Sequence, residues 1–165
     1  MFDVFKSFSS AFFNCPNLEE VRLHGGAITS IESFTFANCS KLTNFTIENT
    51  SQLKNIGESA FENCSSLTSF TVPDSVAELG EKALNGCVGL KELTIGNGLS
   101  SIEGNSFSGY DLQKVTLGAG ITEIPESAFA FCTNLENVEF YGTVIGGGAF
   151  LHCIRLKNLN MPNVT

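Results

Sequence analysis

The chain has 165 residues, 42% of them hydrophobic and 16% charged, a balance that supports a single domain with a core and excludes the disordered class. Its formal net charge of −8, with no basic run, argues against nucleic acid and anionic membrane as partners, because both need clustered Lys and Arg. Residues 1–8 lack a basic start followed by a sustained apolar core, so no signal peptide is visible, and no apolar run nears the ~18 residues that insert across a bilayer.

Residues 1–10 fit no pattern well, and Phe5 and Phe8 are expected to cover the end of the first strand as a partial cap or partial repeat. From residue 11 onward one sentence recurs, Ala-Phe-x-x-Cys-x-x-Leu-x-x-apolar-x-apolar. Its aromatic marker falls at Phe12, Phe36, Phe61, Leu84, Phe107, Phe129 and Phe150, in steps of 21–25 residues. Three residues after each marker come Cys15, Cys39, Cys64, Cys87, Tyr110, Cys132 and Cys153. A leucine follows in every copy, from Leu18 to Leu156, and then apolar pairs at spacing two such as Phe45/Ile47, Phe70/Val72 and Leu93/Ile95. That alternation puts the apolar side chains on one face of a strand. Neither half of the unit buries its apolar face alone, so the copies are expected to stack into one parallel sheet with one short strand per repeat and mostly irregular return arms. The division is about seven repeats over residues 11–165, the last one truncated.

The first strands are expected at Leu18–Leu23 (followed by a turn at Gly25-Gly26), Leu42–Ile47, Leu67–Val72 and Leu90–Ile95. The connection from Glu48 to Leu53 is the longest and predicts a bulge at that edge. Pro73 and Gly96 end their strands by turn chemistry. The fifth unit has one residue fewer between marker and leucine, and Tyr110 is too large for the cysteine slot. It must swing out, as a surface landmark, or the turn must deform. Gly146-Gly147-Gly148 lacks the Lys-Ser/Thr and helix of a phosphate loop and reads as a flexible turn.

The unit Ala60-Phe61-Glu62-Asn63-Cys64-Ser65-Ser66-Leu67, closed by Phe70, Val72 and Pro73, resembles the BspA-like leucine-rich repeats, as does the segment from Ile121 to Phe129. The resemblance covers about residues 11–165. It implies a right-handed leucine-rich-repeat solenoid, and a surface or secreted protein that recognises host, matrix or cell-surface proteins. The alternative is a structural spacer in a longer chain.

No catalytic set is apparent. His24 and His152 lie six repeats apart, and no Cys-x-x-Cys or His-x-x-His pair points to zinc, so no metal or cofactor and no enzyme activity are expected. All six cysteines occupy one column, where small buried thiols fit without a disulfide. The Asn-x-Ser/Thr triplets at Asn38, Asn44, Asn49, Asn63 and Asn163 are glycan acceptors only in a eukaryotic secretory setting, and at Asn38 and Asn63 the asparagine also suits the recurring turn. What remains is the polar face of the sheet. One rank reads Arg22, Thr46, Thr71, Thr94, Thr116, Glu139 and Asn160, and the other Glu20, Asn44, Ser69, Glu92, Lys114, Asn137 and Asn158. These residues form the candidate protein-binding face. Thr is also a good exposed strand residue in its own right, which a purely structural reading would use.

Overall fold

The structure, a computed structural model, describes residues 9–24, 28–48, 52–104 and 106–163. The expected cap at Phe5 and Phe8, the turn glycines Gly25 and Gly26, Asn49 and the end of the Asn163 triplet lie outside them. Every strand pair is parallel, and no α-helix occurs among the described residues. Seven strands form the sheet side: β1 (Glu20–His24), β3 (Asn44–Glu48), β5 (Ser69–Val72), β7 (Glu92–Ile95), β8 (Lys114–Leu117), β10 (Asn137–Phe140) and β12 (Asn158–Asn160). The return arms carry five two-residue strands that the pattern did not predict: β2 (Ser30–Ile31), β4 (Asn55–Ile56), β6 (Glu78–Leu79), β9 (Glu123–Ile124) and β11 (Val144–Ile145). The fold is a leucine-rich-repeat solenoid built of parallel strands.

The leucine of each unit sits just before its strand instead of opening it. The N–H of Leu42 turns back to the Cys39 carbonyl (2.9 Å), and Leu67 and Leu90 do the same to Cys64 and Cys87. The chain therefore leaves the turn before it joins the sheet, and β3 starts at Asn44. Inside, the columns form the core. Phe61, Cys64, Leu67, Val72, Leu90, Leu112, Phe129 and Leu135 are all fully buried. Marker rings stack from repeat to repeat, Phe12 on Phe36 and Phe36 on Phe61 (both 5.2 Å between centroids), then Phe107 on Phe129 (5.5 Å).

The turns around the markers are stitched to each other by backbone bonds, for example Phe36 N–H to Ala60 O and Phe61 N–H to Ala83 O, both 2.8 Å. To present those groups the chain enters the left-handed region two residues before and two residues after the marker. Asn14, Asn38, Asn63, Gly86, Gly109, Phe131 and His152 all have φ between 56° and 77°. Asparagine and glycine tolerate that conformation, which explains Asn38 and Asn63 at this place. The two asparagines also link to each other, Asn63 Nδ2 donating to Asn38 Oδ1 at 2.9 Å. The next rung is glycine, and a Cβ on Gly86 would lie 2.3 Å from Asn63 Oδ1 and push that amide aside.

Tyr110 neither swings out nor marks the surface. It is buried, and its hydroxyl donates to the Leu84 carbonyl at 2.9 Å. The turn deforms instead. Between described residues, no backbone bond joins Leu84 or Gly86 to the turn of the next repeat, although the corresponding bonds form at Phe61 and at Phe107. A groove of about 350 Å³ opens there, lined by Leu84, Asn85, Ser106 and Phe107. The return-arm ladder is interrupted at the same level: β2, β4 and β6 form one sheet and β9 and β11 another.

The sheet side is not continuous either. β1 and β3 form one sheet, and β5, β7, β8, β10 and β12 form the other. The break falls at the long Glu48–Leu53 connection, where a bulge was expected. Substituting Phe61→Ala removes a ring that stacks on Phe36 and meets Phe45 and Phe70 edge-on at 4.7 Å and 4.9 Å. The expected loss is about 3–5 kcal/mol of unfolding free energy, measured by urea titration against the parent chain.

Candidate functional site

The two polar ranks do stand on the solvent face, one residue per strand. Across β5, β7, β8, β10 and β12, the register aligns Ser69, Glu92, Lys114, Asn137 and Asn158 in one row. Thr71, Thr94, Thr116, Glu139 and Asn160 form the second row. Glu20 with Asn44, and Arg22 with Thr46, pair separately on β1 and β3. The expected single face is therefore two faces, and Thr46 is cut off from the ladder of Thr71, Thr94 and Thr116. Thr94, Thr116 and Glu139 are half-buried and the others exposed.

Charges on this face are held by neighbours. The Arg22 guanidinium lies 2.9 Å from Glu20 Oε1, and Asn44 Nδ2 donates to the same oxygen at 2.9 Å. The bond from Arg22, aided by that from Asn44, lowers the Glu20 pKa against a smaller opposing effect of desolvation. Tyr141 donates to Glu139 Oε1 at 2.7 Å, and that bond raises the tyrosine's pKa. At the start of the strands Glu136 sits between Lys157 (3.0 Å) and Arg155 (2.9 Å), and the bond from Lys157 leads in lowering its pKa. The ion pairs of Arg22, Arg155 and Lys157 reach into solvent, so they set local charge pattern more than stability.

The cysteine column is a separate system on the inside. From Cys39 onward each thiol donates to the carbonyl of the marker one repeat earlier: Cys39 to Phe12, Cys64 to Phe36, Cys87 to Phe61, Cys132 to Phe107 and Cys153 to Phe129, all at 3.0–3.2 Å. Tyr110 does the same to Leu84 through its hydroxyl. All six cysteines are free thiols. Burial pushes Cys39 up to about 11 and Cys132 up to about 12, and it raises Cys153. A hydrogen bond with Cys64, followed by burial, pushes Cys87 well up. His152 does not activate Cys153, for its ring stacks on exposed Phe131 at 5.1 Å. The side chain of His24 lies outside the described residues. Among the described residues no group of His, Cys, Asp and Glu is placed to hold a metal ion, and no helix is long and apolar enough to cross a membrane.

The pattern reading missed two features of this surface. One is the Phe131–His152 stack, which no repeat position announces. The other is the open gap between β3 and β5, for which Pro73 was the available signal: a proline has no N–H to give to the preceding strand.

Comparison with known proteins follows the same lines. The sequence matches the BspA type leucine rich repeat region in six copies, over residues 4–83 and 54–165. The chain belongs to the BspA-type leucine-rich-repeat family. Among solved structures it is similar to the Treponema pallidum leucine rich repeat protein TpLRR, with a TM-score of 0.76 and 26% identity over 90% of this chain and 69% of that one. It also shares its fold with the pneumococcal vaccine antigen PcpA, at a TM-score of 0.51 and 20% identity, over 89% of this chain and 52% of that one. The BspA-type chain thus spans about two thirds of the first and about half of the second. A search of curated proteins finds no match.

The thiol column has a pH signature. A raised pKa in the fold means that the folded chain holds thiol protons that the unfolded chain releases near 9.0. The contribution of Cys39 and Cys132 is complete below pH 9 and is lost as pH rises toward about 11–12. Denaturant midpoints taken from pH 7 to pH 11 should fall only above pH 9. At pH 8.5, iodoacetamide should label half-exposed Cys15 first and the five buried thiols only as the protein opens.

Proposed function

We propose that this BspA-type chain is a non-enzymatic protein-binding module of a surface or secreted protein, with the sheet side as its docking face. The observation that supports this reading is the pair of aligned polar rows, which project Glu92, Lys114 and their neighbours from one parallel sheet. Solenoids commonly use such extended faces for partners. The family resemblance is the ground for an adhesion-type role toward host, matrix or cell-surface proteins. A structural spacer is the second reading, favoured by the run of Thr71, Thr94 and Thr116, since neighbouring threonines stabilise an exposed sheet without any ligand.

The deciding measurement is capture of purified extracellular-matrix and cell-surface proteins on the immobilised chain. Arg22→Glu combined with Lys114→Glu changes two exposed charges and leaves the core untouched. Loss of capture by about tenfold, with an unchanged melting curve, is the expected result. Absence of capture by the unmodified chain would favour the spacer. Equal capture by both forms would move the site away from the two charged positions.

A further inference from the structure

The break between β3 and β5 is a vacancy of defined shape. Elsewhere, each strand gives alternate N–H groups to the strand before it: Asn44 to Glu19, Glu92 to Thr68, Gly96 to Val72, and Gly118 to Ile95. In the repeat, Ser69 corresponds to Glu92, Thr71 to Thr94, and Pro73 to Gly96. The N–H groups of Ser69 and Thr71 therefore point toward β3, and Pro73 has none to give. The carbonyls of Thr43 and Phe45 point back toward β5 by the same alternation. Between described residues no backbone bond crosses this gap.

The separation exceeds one strand spacing. Paired strands lie about 4.8 Å apart, whereas nearly all Cα pairs between β3 and β5 are more than 8 Å apart. A groove of about 890 Å³ lies over the gap, lined by both edges and including Asn44, Thr46, Ser69 and Thr71. Its floor is already filled: the rings of Phe45 and Phe70 stack across it at 5.9 Å, with Phe61 beneath Phe45 at 4.7 Å. Among the described residues the charged group lining the groove is Asp74, just beyond the C-terminal end of β5, whose Oδ1 accepts from the N–H and Nδ2 of Asn97 and leaves its other oxygen to a partner.

We propose that this slot receives an extended segment of a partner protein as an inserted parallel strand, with small apolar side chains facing the phenylalanine floor and a Lys or Arg near its C-terminal end beside Asp74. A polypeptide in the extended conformation presents carbonyls to one edge and N–H groups to the other, and so meets the donors of β5 and the acceptors of β3 that no other described backbone group pairs. The filled floor limits its inward side chains to the size of Ala or Val. Asp74, on a chain of net charge −8, selects a basic residue at that end. This inference rests on reading the sheet side as the binding side and gives that side a partner chemistry.

The test uses the full chain and amide hydrogen exchange read by NMR. Without a partner, the amides of Ser69 and Thr71 should exchange at least tenfold faster than those of Thr94 and Thr116. The probes are capped seven-residue peptides with Val or Ala alternating with Thr or Ser and ending in Lys. At least one should protect Ser69 and Thr71 tenfold or more. N-methylating that peptide along either edge should weaken it by about tenfold, because an inserted strand bonds on both sides. Sensitivity on one edge only would place the peptide on an outer strand and overturn the insertion. Slow exchange of Ser69 and Thr71 in the free chain, or no protection by any peptide, would overturn it as well. Protection that rises with protein concentration alone would assign the slot to a second copy of this chain and overturn the partner. Capture that depends on Arg22 and Lys114 while every peptide fails defeats the slot and spares the docking face.

Discussion

Every turn of this fold gives one buried carbonyl two donors. The marker's carbonyl takes the N–H three residues on in its own turn, as Phe36 does from Cys39 and Phe61 from Cys64 (both 3.2 Å), and the cysteine of the following repeat supplies a second donor to its remaining lone pair. The constraint explains why a small, weakly polar side chain recurs at one position: it fills apolar space and still has a hydrogen to give. It also explains the exception. Tyr110 keeps the bond, to Leu84, but its hydroxyl stands a full ring away from its Cβ. The ring meets Phe107 edge-on at 5.8 Å, next to the place where Leu84 lacks the aromatic ring of other markers. Donor and ring are both retained, and the spacing of the turns gives way.

The same separation of duties runs through the rest of the repeat. The half around the marker is bound to its neighbours by ring stacking, thiol donors and backbone bonds, and the half after the leucine by strand pairing. Because the two systems are independent, one can fail where the other holds. Across the β3–β5 gap the stack of Phe36 on Phe61 and the bonds from Phe36 to Ala60 and from Asn38 to Glu62 continue unbroken. At the Leu84 interruption β7 and β8 stay paired over four residues. Among the described residues no level of the solenoid is severed on both sides.

Much of this was legible because each repeat states the same rule again. Column positions, strand faces, the buried thiols and the exposed ranks all follow from comparing equivalent residues. Departures were harder to read. The size of Tyr110 showed that something must give, and the choice between side chain and turn depended on a carbonyl that the sequence does not display. The length of the Glu48–Leu53 connection pointed to an irregular edge, but the missing N–H of Pro73 becomes informative only when Gly96 and Gly118 are seen donating from the same place. Phe131 and His152 stand at a left-handed position where other repeats carry Asn or Gly, and nothing in those two side chain types announces the backbone angle.

The two interruptions lie on opposite sides of the solenoid and at different levels. A rod notched in this way is divided into three blocks, each bound to the next on one side only. At the first notch the stacked phenylalanines act as the fulcrum, and at the second the paired strands do. The two joints therefore flex in opposite senses, and a bending load that widens one will close the other. The protein's stiffness under such a load depends on the direction of the force, which a uniform stack of the same repeats would not show.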